Sequence, residues 1–68
     1  MERIIGVNPV IEVLQNKEKN IEKIEIFKGN KDEKLNKIRR LASERNIKIF
    51  YTEKRIENSQ GVAAYISE

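Results

Sequence analysis

Ile4-Ile5-Gly6-Val7-Asn8-Pro9-Val10 compresses the end of one element, a turn and the start of another into a few residues, and its reading decides the fold. The two isoleucines read as the end of a short apolar strand. Gly6 permits backbone angles that a Cβ hinders, Asn8 is a suitable N-cap, and Pro9 falls at the first helical position, where its missing N–H costs nothing. A helix is therefore expected to start there. A junction of this kind leaves backbone N–H groups at a positive helix end, where phosphate binds readily. A capped helix without a ligand gives the same pattern, so the turn alone identifies no partner.

Working outward, Val10, Ile11, Val13 and Leu14 form the apolar flank of that helix, with Glu12 and Gln15 toward water. Asn16-Lys17-Glu18-Lys19-Asn20 has no apolar residue to anchor it and reads as an exposed, mobile connection. The stretch Ile21 to Phe27 alternates apolar and charged residues and is read as a strand, most securely from Lys23 to Phe27. Lys28-Gly29-Asn30-Lys31 supplies turn residues. From Asp32, the residues Leu35, Ile38, Leu41 and Ala42 recur at helical spacing, and Asn46 is a plausible stop. Ile47, Ile49 and Tyr51 alternate with Lys48 and Phe50 as a third strand. Thr52 suits the cap of a short helical turn through Ile56, Asn58-Ser59-Gln60-Gly61 is a loop by composition, and Val62 to Ile66 is a last strand with small residues for close packing. Alternating strands and helices predict an α/β fold in one domain, residues 1–68, with a mostly parallel four-stranded sheet.

The 68 residues contain no Cys and no His, which removes disulfides, thiolate and imidazole chemistry and the usual zinc sites. Ser43, Ser59, Ser67 and Thr52 thus have no imidazole to activate them. The Gly6 turn lacks the further glycines of a dinucleotide fingerprint, and nothing matches a phosphate loop. The chain is accordingly read as non-catalytic by itself, with no cofactor of its own. No apolar run reaches the roughly 18 to 20 residues of a membrane span and no secretory pattern opens the chain, so a cytoplasmic location is expected. Charge is only mildly positive, 14 basic against 11 acidic side chains. Between Lys37 and Arg55, however, Lys37, Arg39, Arg40, Arg45, Lys48, Lys54 and Arg55 face only Glu44 and Glu53. Such an excess attracts a polyanion, although a solvated surface gives the same count.

Three loops are candidates to meet at one end of the sheet: Gly6 to Pro9, Lys28 to Lys31 and Asn58 to Gly61. Within them Gly6, Asn8, Lys28, Asn30, Lys31, Gln60 and Gly61 are the candidate RNA-binding residues, with amides for base edges and 2′-hydroxyls and ammonium groups for phosphate. Each also has an ordinary structural use as cap, turn former or solvated side chain. Phe27, Phe50, Tyr51 and Tyr65 lie on strands, where packing is the more frequent role.

The run Ile5 to Leu14, the strand and turn from Ile24 to Gly29, and Gln60-Gly61-Val62-Ala63-Ala64 together resemble the N-terminal substrate-binding domain of SpoU-type RNA 2′-O-ribose methyltransferases. The resemblance implies a small α/β/α sandwich similar to the kink-turn-binding ribosomal proteins, whose RNA-contacting loop carries a Gly-x-Asn like Gly6-Val7-Asn8. It also implies a module that positions structured rRNA or tRNA for methylation. The catalytic residues, S-adenosylmethionine and the homodimer contacts would belong to a larger C-terminal catalytic domain that is not in these residues. Two departures stand out: Ser59 replaces the His that often precedes the Gln-Gly pair, and Pro9 replaces an acidic residue of the ribosomal relatives. The alternative is a protein-interaction module that docks on its own catalytic domain or on a ribosomal protein.

Overall fold

A computed structural model describes residues 2–54 and 61–67. Strand β1 (Glu2–Ile5) runs into helix α1 (Val7–Gln15), followed by β2 (Asn20–Phe27), α2 (Leu35–Glu44), β3 (Lys48–Thr52) and β4 (Val62–Ser67). The short helical turn expected after Thr52 does not appear at Glu53 and Lys54, which are bends, and the rest of it lies outside the described residues.

The sheet order is β1-β4-β2-β3, and only β2 and β3 pair in parallel. Strand β4 inserts between β1 and β2 and runs antiparallel to both. The expectation of a mostly parallel sheet is thus corrected to a mixed one. Alternation of strands with helices predicted a common direction for β1, β2 and β3, and they have it, but it carried no information about where β4 enters. The composition of β4 explains why it is central: Val62, Ala63 and Ala64 are all buried, and small side chains let the strand sit between neighbours on both edges.

A second correction concerns layers. Val7, Val10 and Leu14 of α1 and Leu35, Ile38 and Ala42 of α2 share one core with Ile24, Ile26, Val62 and Ala64 of the sheet. Among the described residues both helices therefore cover the same face, giving two layers instead of the α/β/α sandwich. The chain crosses the sheet in one direction from β1 to β2 to β3, and crossovers of a single hand then leave both helices on one side.

Ile21 and Ile24 are three residues apart, so strict alternation would put them on opposite faces. A bulge corrects this. Ile21 pairs with Ile66 and Lys23 with Tyr65, which leaves Glu22 as an extra residue and brings both isoleucines to the helical side. Helix α2 ends as Asn46 suggested. Asn46 takes φ 57°, its N–H donates to Ser43 O, and Ile47 N–H donates to Ala42 O at 2.8 Å, the paired bonds of a Schellman stop.

The connection from α1 to β2 is tied down by a residue far away in sequence. Arg45 donates from Nη1 to the carbonyl of Leu14 at 3.0 Å, with longer contacts to Val13 and Asn16, and from Nη2 to the carbonyl of Lys19. One guanidinium thus serves the carboxyl end of α1 and the turn beyond it, where carbonyls lack helical partners. Polar backbone contacts replace the apolar anchors that this segment lacks.

The opposite face of the sheet carries Arg3, Lys23, Glu25, Phe27, Phe50 and Tyr65 in register. The Glu25 carboxylate facing the Tyr65 hydroxyl, together with desolvation, raises the phenol's pKa above the ordinary 10.0, with Arg3 acting in the other direction. A raised value in the folded state means that the phenol loses its proton more readily in the unfolded chain. Its contribution is complete below about pH 10 and disappears as pH rises through the folded pKa. The urea midpoint is therefore expected to fall above pH 10 more steeply in the parent than in Tyr65→Phe, and parallel curves for the two would refute this coupling.

Candidate nucleic-acid interface

The carboxyl ends of β1, β2 and β3 and the start of β4 lie at one pole. Four backbone or side-chain bonds join them. Gly6 N–H donates to Val62 O at 3.0 Å, Phe27 N–H to Gly61 O at 2.8 Å and Lys28 N–H to Thr52 O at 2.9 Å, while Lys34 Nζ donates to Asn8 Oδ1 at 3.1 Å. The first turn of α1, the Lys28–Lys31 turn and Gly61 thus meet, as the alternating topology suggested. Gln60, with Asn58 and Ser59, lies outside the described residues.

The local roles differ from those read in the sequence. Gly6, not Asn8, is the N-cap: it has φ 110° and ψ 151°, and no side chain caps the helix. That combination is confined almost entirely to glycine, and it lets β1 become α1 through one residue. Asn8 consequently sits one position into the helix, exposed, with its oxygen held by Lys34 across the pole. Gly6 N–H donates within the fold and Pro9 has no N–H, so neither position offers an amide to a ligand.

The Lys28–Lys31 turn is built from its own side chains. Asn30 N–H donates to Phe27 O, and Asn30 Oδ1 accepts from Asp32 N–H at 2.9 Å. Asp32 Oδ1 then accepts from Lys34 N–H at 2.9 Å, which leads the chain into α2. The rest of the Asn30 amide lies against Gly61, where a Cβ would stand 2.8 Å from Nδ2, and Gly61 has φ 83°. Both the angle and the space require glycine. Lys28 Nζ is 3.3 Å from Glu53 Oε1, but the two side chains are 57% and 84% exposed, so the pair is weak and yields readily to another anion.

Among the described residues, Lys28, Lys31, Lys34 and Lys54 stand near this end against Asp32, Glu33 and Glu53, a small positive balance. Of the larger excess between Lys37 and Arg55, several cations stand elsewhere. Arg45 is occupied by carbonyls, Arg39 donates to the Tyr51 hydroxyl at 3.0 Å, and Lys48 starts β3 at the far end of the sheet. A count along the chain cannot show which cations share a surface. Lys34 was missed for a similar reason, since its partner is 26 residues away. The sole local hint was its place in the approach to α2.

No group of three or more acidic side chains among the described residues is arranged to hold a metal ion. No helix among them is long and apolar enough to cross a membrane. The family model described as RNA 2′-O ribose methyltransferase substrate binding matches residues 3–68. No curated protein and no solved structure matches the chain.

Proposed function

Because the chain belongs to the RNA 2′-O-ribose methyltransferase substrate-binding family, we propose that its pole of converging loops grips structured rRNA or tRNA and presents a ribose to an attached catalytic domain. The module itself is non-catalytic. S-adenosylmethionine and the homodimer contacts are assigned in this proposal to the attached domain, in a cytoplasmic enzyme. The kinship in fold to kink-turn-binding ribosomal proteins belongs to the same proposal, carried by Gly6-Val7-Asn8 at the first turn.

The observation that carries the reading is that Lys28, Lys31 and Lys34 surround a turn already braced by Asn8, Asn30 and Gly61. In this proposal phosphates meet the ammonium groups, and Asn8 and Asn30, whose oxygens already accept within the fold, hold the turn in shape for them. Protein docking, the rival reading, would draw on the exposed face of α2, where Asn36, Lys37, Arg40 and Glu44 offer no apolar anchor.

Titrating the chain with a folded RNA hairpin at two salt concentrations tests this. If two phosphates are neutralised, a fourfold rise in salt is expected to weaken binding about tenfold. Replacing Lys28 and Lys31 together by Gln should reduce the slope of log K against log salt by roughly one per lysine. Binding that ignores salt, or a slope untouched by the double replacement, would dispose of the pole as the RNA grip.

A further inference from the structure

The sheet face turned away from the helices leaves one aromatic ring, that of Phe50, largely in water beside the partly covered Tyr65. Phe50 is 49% exposed although it lies mid-strand, and Tyr65 is only partly covered. Lys23 Nζ lies between them, 4.8 Å from the Tyr65 centroid and 5.8 Å from that of Phe50. Lys48 pairs with Lys23 across the parallel ladder, and Glu22, the bulged residue, completes an open groove of about 520 Å3. Like charges side by side on a sheet face are unfavourable unless an anion answers them, and neither lysine forms an ion pair among the described residues.

Resting on the reading that the family's substrate is RNA, we infer that this groove is a second RNA subsite, which takes an unpaired nucleotide. The base takes the place of the Lys23 ammonium over the exposed Phe50 ring, with Tyr65 at its edge, and Lys23 swings with Lys48 onto the phosphate. Exposed rings on a sheet flanked by cations are the general means of holding single-stranded bases, since every base has a π-face and every linkage a charge. The groove is also continuous with the pole. Strand β2 runs from Lys23 to Phe27 and then into the Lys28–Lys31 turn, about 16 Å from groove to turn at roughly 3.3 Å per residue. A strand leaving a folded RNA held at the pole therefore has a path along the outer face of β2.

The chain contains no Trp, so Phe50→Trp provides a single indole reporter at the groove while retaining a stacking surface. Oligoadenylate of roughly eight nucleotides is the probe for the groove, and a folded hairpin with no single-stranded tail is the probe for the pole. Oligoadenylate is expected to quench the indole of Phe50→Trp, and Phe50→Ala is expected to bind it about tenfold more weakly than the parent while keeping the parent's hairpin affinity. Lys23→Gln with Lys48→Gln should lower the salt dependence of oligoadenylate binding and leave that of the hairpin alone. If the hairpin binds but oligoadenylate neither quenches the indole nor loses affinity in Phe50→Ala, the groove is not an RNA subsite, although the pole stands. If neither RNA binds, both readings fall, and the exposed rings belong to a protein contact. Because Phe50 is half exposed, its replacement leaves the fold intact, and an unchanged melting temperature checks that.

Discussion

Ile24→Ala is expected to bring the domain close to its unfolding midpoint at physiological temperature. Ile24 has no accessible surface, lies on β2 between β4 and β3, and shares one core with residues of both helices. Removing its outer carbons loses their transfer free energy and leaves a cavity that packed neighbours fill only partly, together about 3 to 4 kcal/mol. A chain of this length has roughly 3 to 10 kcal/mol in all, so the loss takes a large share. Ile21→Ala, on the same strand but only half buried, should cost about 1 kcal/mol. Urea denaturation of the two variants checks the contrast. Equal losses would mean that the bulge at Glu22 does not divide β2 into a fully and a partly buried part.

Arg45→Ala should come next, with a loss of about 2 kcal/mol and a fall in melting temperature of roughly 10 °C. The guanidinium donates to carbonyls on both sides of the α1 terminus, and charged donors to such groups contribute more than neutral ones. Its loss leaves those carbonyls to water, where they are not penalised fully, and this keeps the figure below that of the core cavity. Arg45→Lys should recover less than half, because one ammonium lacks the planar fork that reaches Leu14 and Lys19 together. Thermal melts read the difference. Full rescue by lysine would show that charge at the helix terminus, and not the divided hydrogen bonding, is what matters. RNA affinity is expected to be nearly unchanged in both variants at temperatures where they are folded, since Arg45 lies away from the pole.

Arg45 also shows why the charge pattern was only partly legible. In the sequence it is one of a crowded set of cations, and nothing nearby distinguishes it from Arg40, which is exposed to solvent. Its partners are 26 to 32 residues distant. The candidate site was legible to a similar degree. Gly6, Asn8, Asn30 and Gly61 were found because turn chemistry marks them, and they meet at one pole as expected. Their individual roles were not legible. Asn8 looks like a cap by its place before a proline, yet Gly6 already makes the turn, and that frees the Asn8 oxygen for Lys34.

Sequence alone placed the two helices and four strands and the apolar stripe of each helix, because those follow from spacing along a single segment; it missed the bends at Glu53 and Lys54 and the bulge that turns Ile21 to the helical side. It also determined where α2 stops, since Asn46 tolerates a left-handed angle that few residues accept. Only the tertiary structure decided that β4 enters antiparallel at the centre, that both helices cover one face, and that the Phe50 and Tyr65 rings are left on the other. The physical reason is that an apolar stripe demands burial without naming its partner. The choice among partners is made by side-chain volumes, crossover hand and backbone hydrogen bonds between segments that are neighbours only once the chain has folded.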